Sequence, residues 1–331
     1  MRYRFTHTRW GRLQLSILVF VGLIAGVQYW FGWESVLAPW QQLPVERIAV
    51  AVLLVLLSYV VRTLRVVGFF AVELRGRFPS ALKLMLMNNL WNTLLPTFGE
   101  LSFPILMRRY FIISPTRSLP ALLWFRLLDL YVIFLLALVS LMLNRGSWWL
   151  AASVIALLTL AIPLIYRGLP RSIGYVERKF KGALKQRISE VRKALPTSWR
   201  LLLLTSWWTL ANWAVKLVVF AWIIQQFVAI NLGQALLGAI GGELTTILPV
   251  YSIAGVGTYE AGVVAALVPA DIGYQEAIKT AVNLHLFFLS CTLLSGFLSY
   301  LLPRGEVPGL PSGRSPMTES RRGVRKGGRS A

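Results

Sequence analysis

The chain has one cysteine, Cys291, set in an apolar run, so neither an internal disulfide framework nor a cysteine-rich metal site can be built. Histidine is limited to 2 residues. No Cys/His cluster, HExxH spacing, P-loop or Ser/His/Asp arrangement occurs, and neither a metal nor a cofactor is expected. Gly255-Val256-Gly257 lacks the strand–turn–helix setting of a nucleotide fingerprint. Acidic residues are scarce, 13 against 34 Lys and Arg, which leaves a net charge of +21. Such a surplus can mark nucleic-acid binding. Here the basic residues lie between hydrophobic runs, as positive-inside loops facing anionic lipid headgroups do, so no nucleic acid is expected as a partner.

What the chain has in abundance is apolar length. Hydrophobic residues make up 56% of the sequence, and several runs approach the length that a ~30 Å hydrocarbon core demands. Uninterrupted runs are Leu13–Phe31, Ile48–Phe70, Leu119–Leu143, Trp148–Tyr166, Leu201–Ala229 and Ile278–Leu302. The predicted fold is an all-α polytopic membrane protein with about six full transmembrane helices. Arg2, Arg4, Arg9 and Arg12 precede the first run, which is long for a signal-peptide core and reads as an uncleaved helix. Trp30, Trp33, Trp40, Trp148, Trp149, Trp199, Trp207 and Trp208 fall mostly near run ends, the pattern of an interfacial belt.

Two further hydrophobic stretches are broken in the middle. One is Leu84–Met107, around Asn92, Pro96, Gly99 and Glu100; the other is Gly233–Val268, around Pro249, Gly255, Gly257 and Glu260. Irregular backbone survives at membrane depth only where it is buried in protein or lines a polar cavity. A pair of such breaks in corresponding halves points to a transport site. Charge counting decides their topology. If the first broken stretch enters and leaves on one side, 29 of the 34 Lys and Arg are cytoplasmic. If it crosses, the basic stretch Arg167–Arg200 falls outside, against the positive-inside rule. Two opposed re-entrant hairpins follow, the first from the cytoplasm and the second from outside, with an inverted repeat as a corollary. Both termini are then cytoplasmic.

Within residues 1–302, Arg171–Leu195 reads as a separate amphipathic helix. Ile173, Val176, Phe180, Leu184, Ile188, Val191 and Leu195 form its stripe, and Arg178, Lys179, Lys181, Lys185, Arg187 and Arg192 cover its other faces. It is expected on the cytoplasmic leaflet, held by anionic lipid, or else against a partner protein. Residues 303–331 lack apolar periodicity and read as a disordered basic tail.

Candidate site residues are the polar groups at membrane depth. Glu100 and Glu260 fall in the first turn of each returning half-helix, with Thr258 as an N-cap for the second. An acid there complements the macrodipole and satisfies free amides. It also suits a lipid headgroup or a coupling proton. Arg126 and Asp129, one turn apart, read as a mutual ion pair or as a grip on phosphate. Lys216 needs a partner, for which Glu243 and Glu260 are candidates. Arg62 and Arg65 read as snorkelling to the interface or as cavity residues, and His285 as a satisfied core histidine or a proton relay. Asn88, Asn89 and Asn92 stand ready for the loosened backbone of the first break.

At these residues the chain resembles the lysylphosphatidylglycerol synthase transmembrane-region family of flippase-like membrane proteins. The resemblance rests on Asn92-Thr93-Leu94-Leu95-Pro96-Thr97-Phe98-Gly99-Glu100, on Pro249–Glu260, on Arg62 and Arg65, and on Arg126-Leu127-Leu128-Asp129. It implies a bacterial inner-membrane domain that moves phospholipid, aminoacylated or glycosylated in some members, between leaflets. The alternative is a non-catalytic scaffold that recruits a lipid- or glycan-modifying enzyme. No aminoacyltransferase or glycosyltransferase domain accompanies the spans, so enzyme activity is not expected, and catalytic residues are none. Ser102, Phe103 and Pro104 stand where family members often carry a basic residue after the Gly-Glu.

Overall fold

The computed structural model describes residues 21–22, 24–94, 96–193, 198–247, 253–270 and 272–302. The side chains of 96–98, 100, 158–166 and several positions between 169 and 193 lie outside that description. Among the described residues every regular element is helical. Helical residues 24–30 (α1) precede α2 Trp33–Gln41, α3 Val45–Phe69, α4 Phe78–Leu94, α5 Pro96–Phe111, α6 Pro115–Asn144, α7 Trp148–Lys179, α8 Gly182–Lys193, α9 Trp199–Phe227, α10 Leu232–Ile247, α11 Thr258–Leu267 and α12 Tyr274–Leu301.

Four helices, α3, α6, α9 and α12, have the length and apolarity to cross a membrane. Proline or a polar cap starts three of them. Pro44 precedes α3, Pro115 opens α6, and Ser198 caps α9 by accepting from the Leu201 amide at 3.2 Å. The expected first span, Leu13–Phe31, lies mostly outside the described residues. The expected span Trp148–Tyr166 is part of α7.

The two broken stretches fold as helical hairpins. Helices α4 and α5, of 17 and 16 residues, reach about 25 Å each at ~1.5 Å per residue. That falls short of a ~30 Å core. They run antiparallel and close together: a Cβ on Gly99 would lie 2.3 Å from the Asn92 Cα, and the Ser102 hydroxyl donates to Asn88 Oδ1 at 2.8 Å. Helices α10 and α11 approach still more closely through Gly241 and Gly262, where a Cβ on either would stand 2.3 Å from the other's carbonyl oxygen.

Contacts with α12 show that the hairpins enter from opposite ends of the bundle. Lys83, at the foot of α4, donates to the Leu302 carbonyl at 2.6 Å, and Gly296 abuts Leu90. The foot of the first hairpin is therefore level with the C-terminal end of α12. Gln234, at the foot of α10, reaches the Ala270 carbonyl at 3.3 Å, just ahead of the N-terminal end of α12. The tips meet midway, where the 3₁₀ turn Ile253–Gly255 packs on α4.

The packing is also reciprocal. Helix α3 lies along α9; α6 packs on α10 of the other half, and α12 on α4. Exchanging α3–α6 for α9–α12 reproduces most of these neighbours, as an inverted repeat does, although α9 also packs on α12 without a matching α3–α6 contact.

Three expectations change. Arg171 does not begin a new element. Helix α7 continues to Lys179 and breaks at Phe180, with Gly182 at φ 66° opening α8. The Glu177–Arg192 ion pair at 3.2 Å then ties the two helices. The apolar stripe is thus shared between two helices instead of lining one. Trp40 is no belt residue: its Nε1 donates to Asn283 at 2.7 Å, and its ring stacks on Phe287. Glu100 falls at the fifth position of α5, just beyond the first turn.

Candidate functional site

Arg65 on α3 and Asp129 on α6 form a buried ion pair, Nη1 to Oδ1 at 2.6 Å and Nη2 to Oδ2 at 3.4 Å. Both side chains are 2% exposed. Thr209 on α9 accepts from the same Nη1 at 3.0 Å, and the guanidinium lies 4.7 Å from the Phe125 ring centre. Asp129 therefore takes as partner an arginine from another helix, which spacing along its own helix does not reveal. Arg62, one turn from Arg65, sits in the combined field of Asp129, Arg65 and Arg126. Two arginines, Arg62 and Arg65, thus act on Asp129, with Arg126 beside Arg62.

Trp213 links this cluster to a second. Its Nε1 donates to Asp129 Oδ1 at 2.9 Å, and its ring centre lies 5.4 Å from Lys216 Nζ, one turn further along α9. Lys216 pairs with Glu243 Oε2 on α10 at 2.7 Å. Phe220 and Phe288 complete an aromatic surround at 5.2 and 4.9 Å. Of the two acids proposed for Lys216, Glu243 is the one that meets it.

Glu260 is engaged elsewhere. Its Oε2 accepts from the Gly257 amide at 2.8 Å, so Gly257, not Thr258, is the N-cap of α11. The same carboxylate meets His285 Nδ1 at 2.7 Å through Oε1, while His285 Nε2 lies 2.9 Å from the Ala254 carbonyl. Ala254, Gly255 and Gly257 all have positive φ, at 54°, 78° and 85°. The two glycines allow that turn without the clash a Cβ brings. Tyr259 stacks on His285, 4.5 Å between ring centres, and on Phe288 at 5.6 Å.

Asp129, Lys216 and Glu260 thus fall on one continuous polar and aromatic path through Arg65, Trp213, Glu243, Tyr259 and His285. Gly255 and Gly257 shape its far end. Asn92 and Gly99 instead seal the first hairpin, α4 backbone against α5 backbone. Pro249 lies outside the described residues, as do the side chains of Pro96, Glu100 and Arg187. Arg178, Lys179, Lys181, Lys185 and Arg192 are exposed around the α7–α8 break.

Sequence reasoning missed Arg65 as the aspartate's partner and Trp213 as the bridge. Two basic residues three apart, well inside an apolar run, were the available signal for the first. Nothing in the sequence announced the second.

A family model described as the lysylphosphatidylglycerol synthase TM region matches residues 13–296. That range takes in both hairpins, three of the four long helices and all but the last turn or so of α12. Searches of curated proteins and of solved structures find no match to the chain. The matched range and the multi-pass helical fold agree, and the chain belongs to the lysylphosphatidylglycerol synthase TM-region family.

Proposed function

We propose that the chain is a bacterial inner-membrane translocator that moves a phospholipid or lipid-linked glycan between leaflets, its polar headgroup passing between the two hairpins. The observation that carries this reading is the meeting of two opposed hairpin tips at mid-bundle, beside a buried file of charged side chains. Ionisable groups are costly at that depth and mark a polar pathway. Arg62, with Arg126 near it and Arg65 on Asp129, favours a phosphate, which a guanidinium grips bidentately. The half-helix amides favour the same phosphate, and Glu260 favours an amino or sugar headgroup.

The acyl chains have a path of their own. Between α3 and α9 a groove lined by Val50, Leu54, Val218 and Trp222 opens laterally, with Glu46 and Arg47 at its rim. The end of the bundle that holds Lys83, Arg108, Arg117, Arg200 and the exposed bases of α7 and α8 is the cytoplasmic one under the positive-inside rule. There it attracts anionic phospholipid at ~1 kcal/mol per basic residue near the surface. The same basic corner also offers a docking place for a lipid-modifying enzyme.

Reconstitution in liposomes with fluorescent phospholipid in one leaflet tests the reading. The wild-type chain is expected to exchange lipid well above protein-free vesicles, and Arg62→Gln combined with Glu260→Gln to slow it at least tenfold. Exchange no faster than in protein-free vesicles rejects the translocator.

A further inference from the structure

Helices α3 and α9 run antiparallel, and contacts near one end fix their register. A Cβ on Gly68 would meet Leu204 at 2.9 Å, and Arg65 donates to Thr209 at 3.0 Å. The same register sets Leu54 level with Val219, Ala51 with Trp222, and Glu46 with Phe227 at the end of α9. The lateral groove between the two helices, a cavity of about 450 Å³, follows these levels, and its size is within the ~300–1,000 Å³ range of ligand pockets. Ala51 and Val219 form its buried floor, and Val50, Leu54 and Val218 are exposed along its lips. From Glu46 to Leu54 it descends about 12 Å at ~1.5 Å per residue, close to one leaflet's share of a ~30 Å core. Its mouth is at the end of the bundle away from Arg200, the outer end under the positive-inside rule.

The two charges at that mouth differ in what explains them. Glu46 lies in the first turn of α3, where an acid complements the macrodipole. Arg47 is a cation at the positive end of the same helix, a placement that the macrodipole disfavours. Both side chains are exposed, and neither makes a hydrogen bond or ion pair with a described residue. No side chain caps α3, since Pro44 stands at its N-cap. Uncapped amides and an unpaired guanidinium both suit an anion, with a free carboxylate one residue away. Trp222 lies about 6 Å further in along the same groove, near the membrane–water interface where indole rings gather.

We propose that this groove binds an aminophospholipid of the outer leaflet, a lipid whose phosphate is followed by a primary ammonium, as in an ethanolamine headgroup. An acyl chain lies along Ala51 and Val219, the phosphate meets Arg47 and the first amides of α3, and the ammonium meets Glu46. Carboxylate beside guanidinium is the complement of ammonium beside phosphate. A glycerol headgroup brings the same phosphate but no cation, and Glu46 repels its net negative charge. A choline headgroup has no N–H to donate to the carboxylate. That this lipid is cargo rests on the translocator reading; that the groove holds it does not.

Native mass spectrometry of the full chain, released from nanodiscs of equimolar phosphatidylethanolamine and phosphatidylglycerol with identical acyl chains, reads the site. The wild type is expected to retain the ethanolamine lipid severalfold over the glycerol lipid. Glu46→Gln should bring that ratio close to one, and Arg47→Gln should cut retention of both lipids severalfold. Val218→Trp fills the groove from an exposed lip and should also cut both. All three positions are exposed, so melting points are expected to stay at the wild-type value, and the wild-type ratio tests the site even where a variant fails to fold. Retention in the proportions of the nanodisc, a preference that Glu46→Gln leaves intact, or full retention in Val218→Trp overturns the proposal. A dimer without lipid adducts gives the groove to a second copy of the chain and overturns it equally. In the liposome assay, exchange by a chain that shows no headgroup preference sinks the groove site while the translocator stands. Selective retention without exchange sinks the translocator while the groove site stands.

Discussion

Asp129 accepts from Arg65 and Trp213 and has almost no contact with solvent. Removing the carboxylate leaves a buried guanidinium uncompensated, which costs about 3–5 kcal/mol, whereas replacing both charges by apolar groups is often close to neutral. Asp129→Ala should therefore lower the thermal unfolding midpoint in detergent strongly, and Arg65→Met with Asp129→Leu should recover most of the loss. Glu260 carries two structural duties, the Gly257 amide and His285. Glu260→Gln keeps the shape but weakens both hydrogen bonds. A loss of about 1–3 kcal/mol is expected, measured by the same melting assay. At this scale the sequence located the polar residues and, for Lys216, named its partner Glu243 among two candidates, but it did not find the partner of Asp129. Asp129, Lys216 and Glu260 stood out because charge is expensive at membrane depth. Arg126 was the obvious mate for Asp129 by helical spacing, yet the mate that spacing could not show, Arg65, comes from a helix more than sixty residues away.

Helix pairs were easier to read than side-chain pairs, because proline and glycine punctuate the chain audibly. Pro96 restarts the helix after the first break, and Gly255 and Gly257 supply the positive φ of the second. The role of Gly241 and Gly262 was invisible, since a glycine inside a helix does not say what it lies against. Their approach yields a sharp expectation. Gly262→Ala puts a methyl 2.3 Å from the Gly241 carbonyl oxygen, and backbone cannot yield as a side-chain tip can, so the hairpin must open. A loss of about 1–3 kcal/mol follows from such overpacking. Gly168→Ala, where a Cβ meets nothing within 4 Å, should be neutral or slightly stabilising because alanine is the better helix former. Equal melting points for the two variants would contradict the tight crossing. The periodic stripe of Arg171–Leu195 misled for a related reason. Periodicity fixes which residues share a face, but it does not tell where one helix stops and the next begins.

The arrangement of the whole molecule follows from the opposition of the two hairpins, which charge counting reached before any contact was known. The structure adds the reciprocal packing: each half's last long helix, α6 or α12, covers the other half's hairpin. Neither hairpin can shift without disturbing both halves. Its topology is testable with thiol chemistry, since Cys291 is the single cysteine and is buried, so Cys291→Ala gives a clean background. In that background, Arg77→Cys and Arg109→Cys flank the first hairpin and Leu232→Cys and Pro269→Cys flank the second, all on the rim of the bundle. A membrane-impermeant maleimide applied to spheroplasts should label the second pair and spare the first, and inverted vesicles should give the opposite result. Labelling of Arg77→Cys and Arg109→Cys from different sides would turn the first hairpin into a crossing. The basic α7–α8 corner would then sit outside, against the positive-inside rule, and the translocator would lose the opposed tips on which it depends.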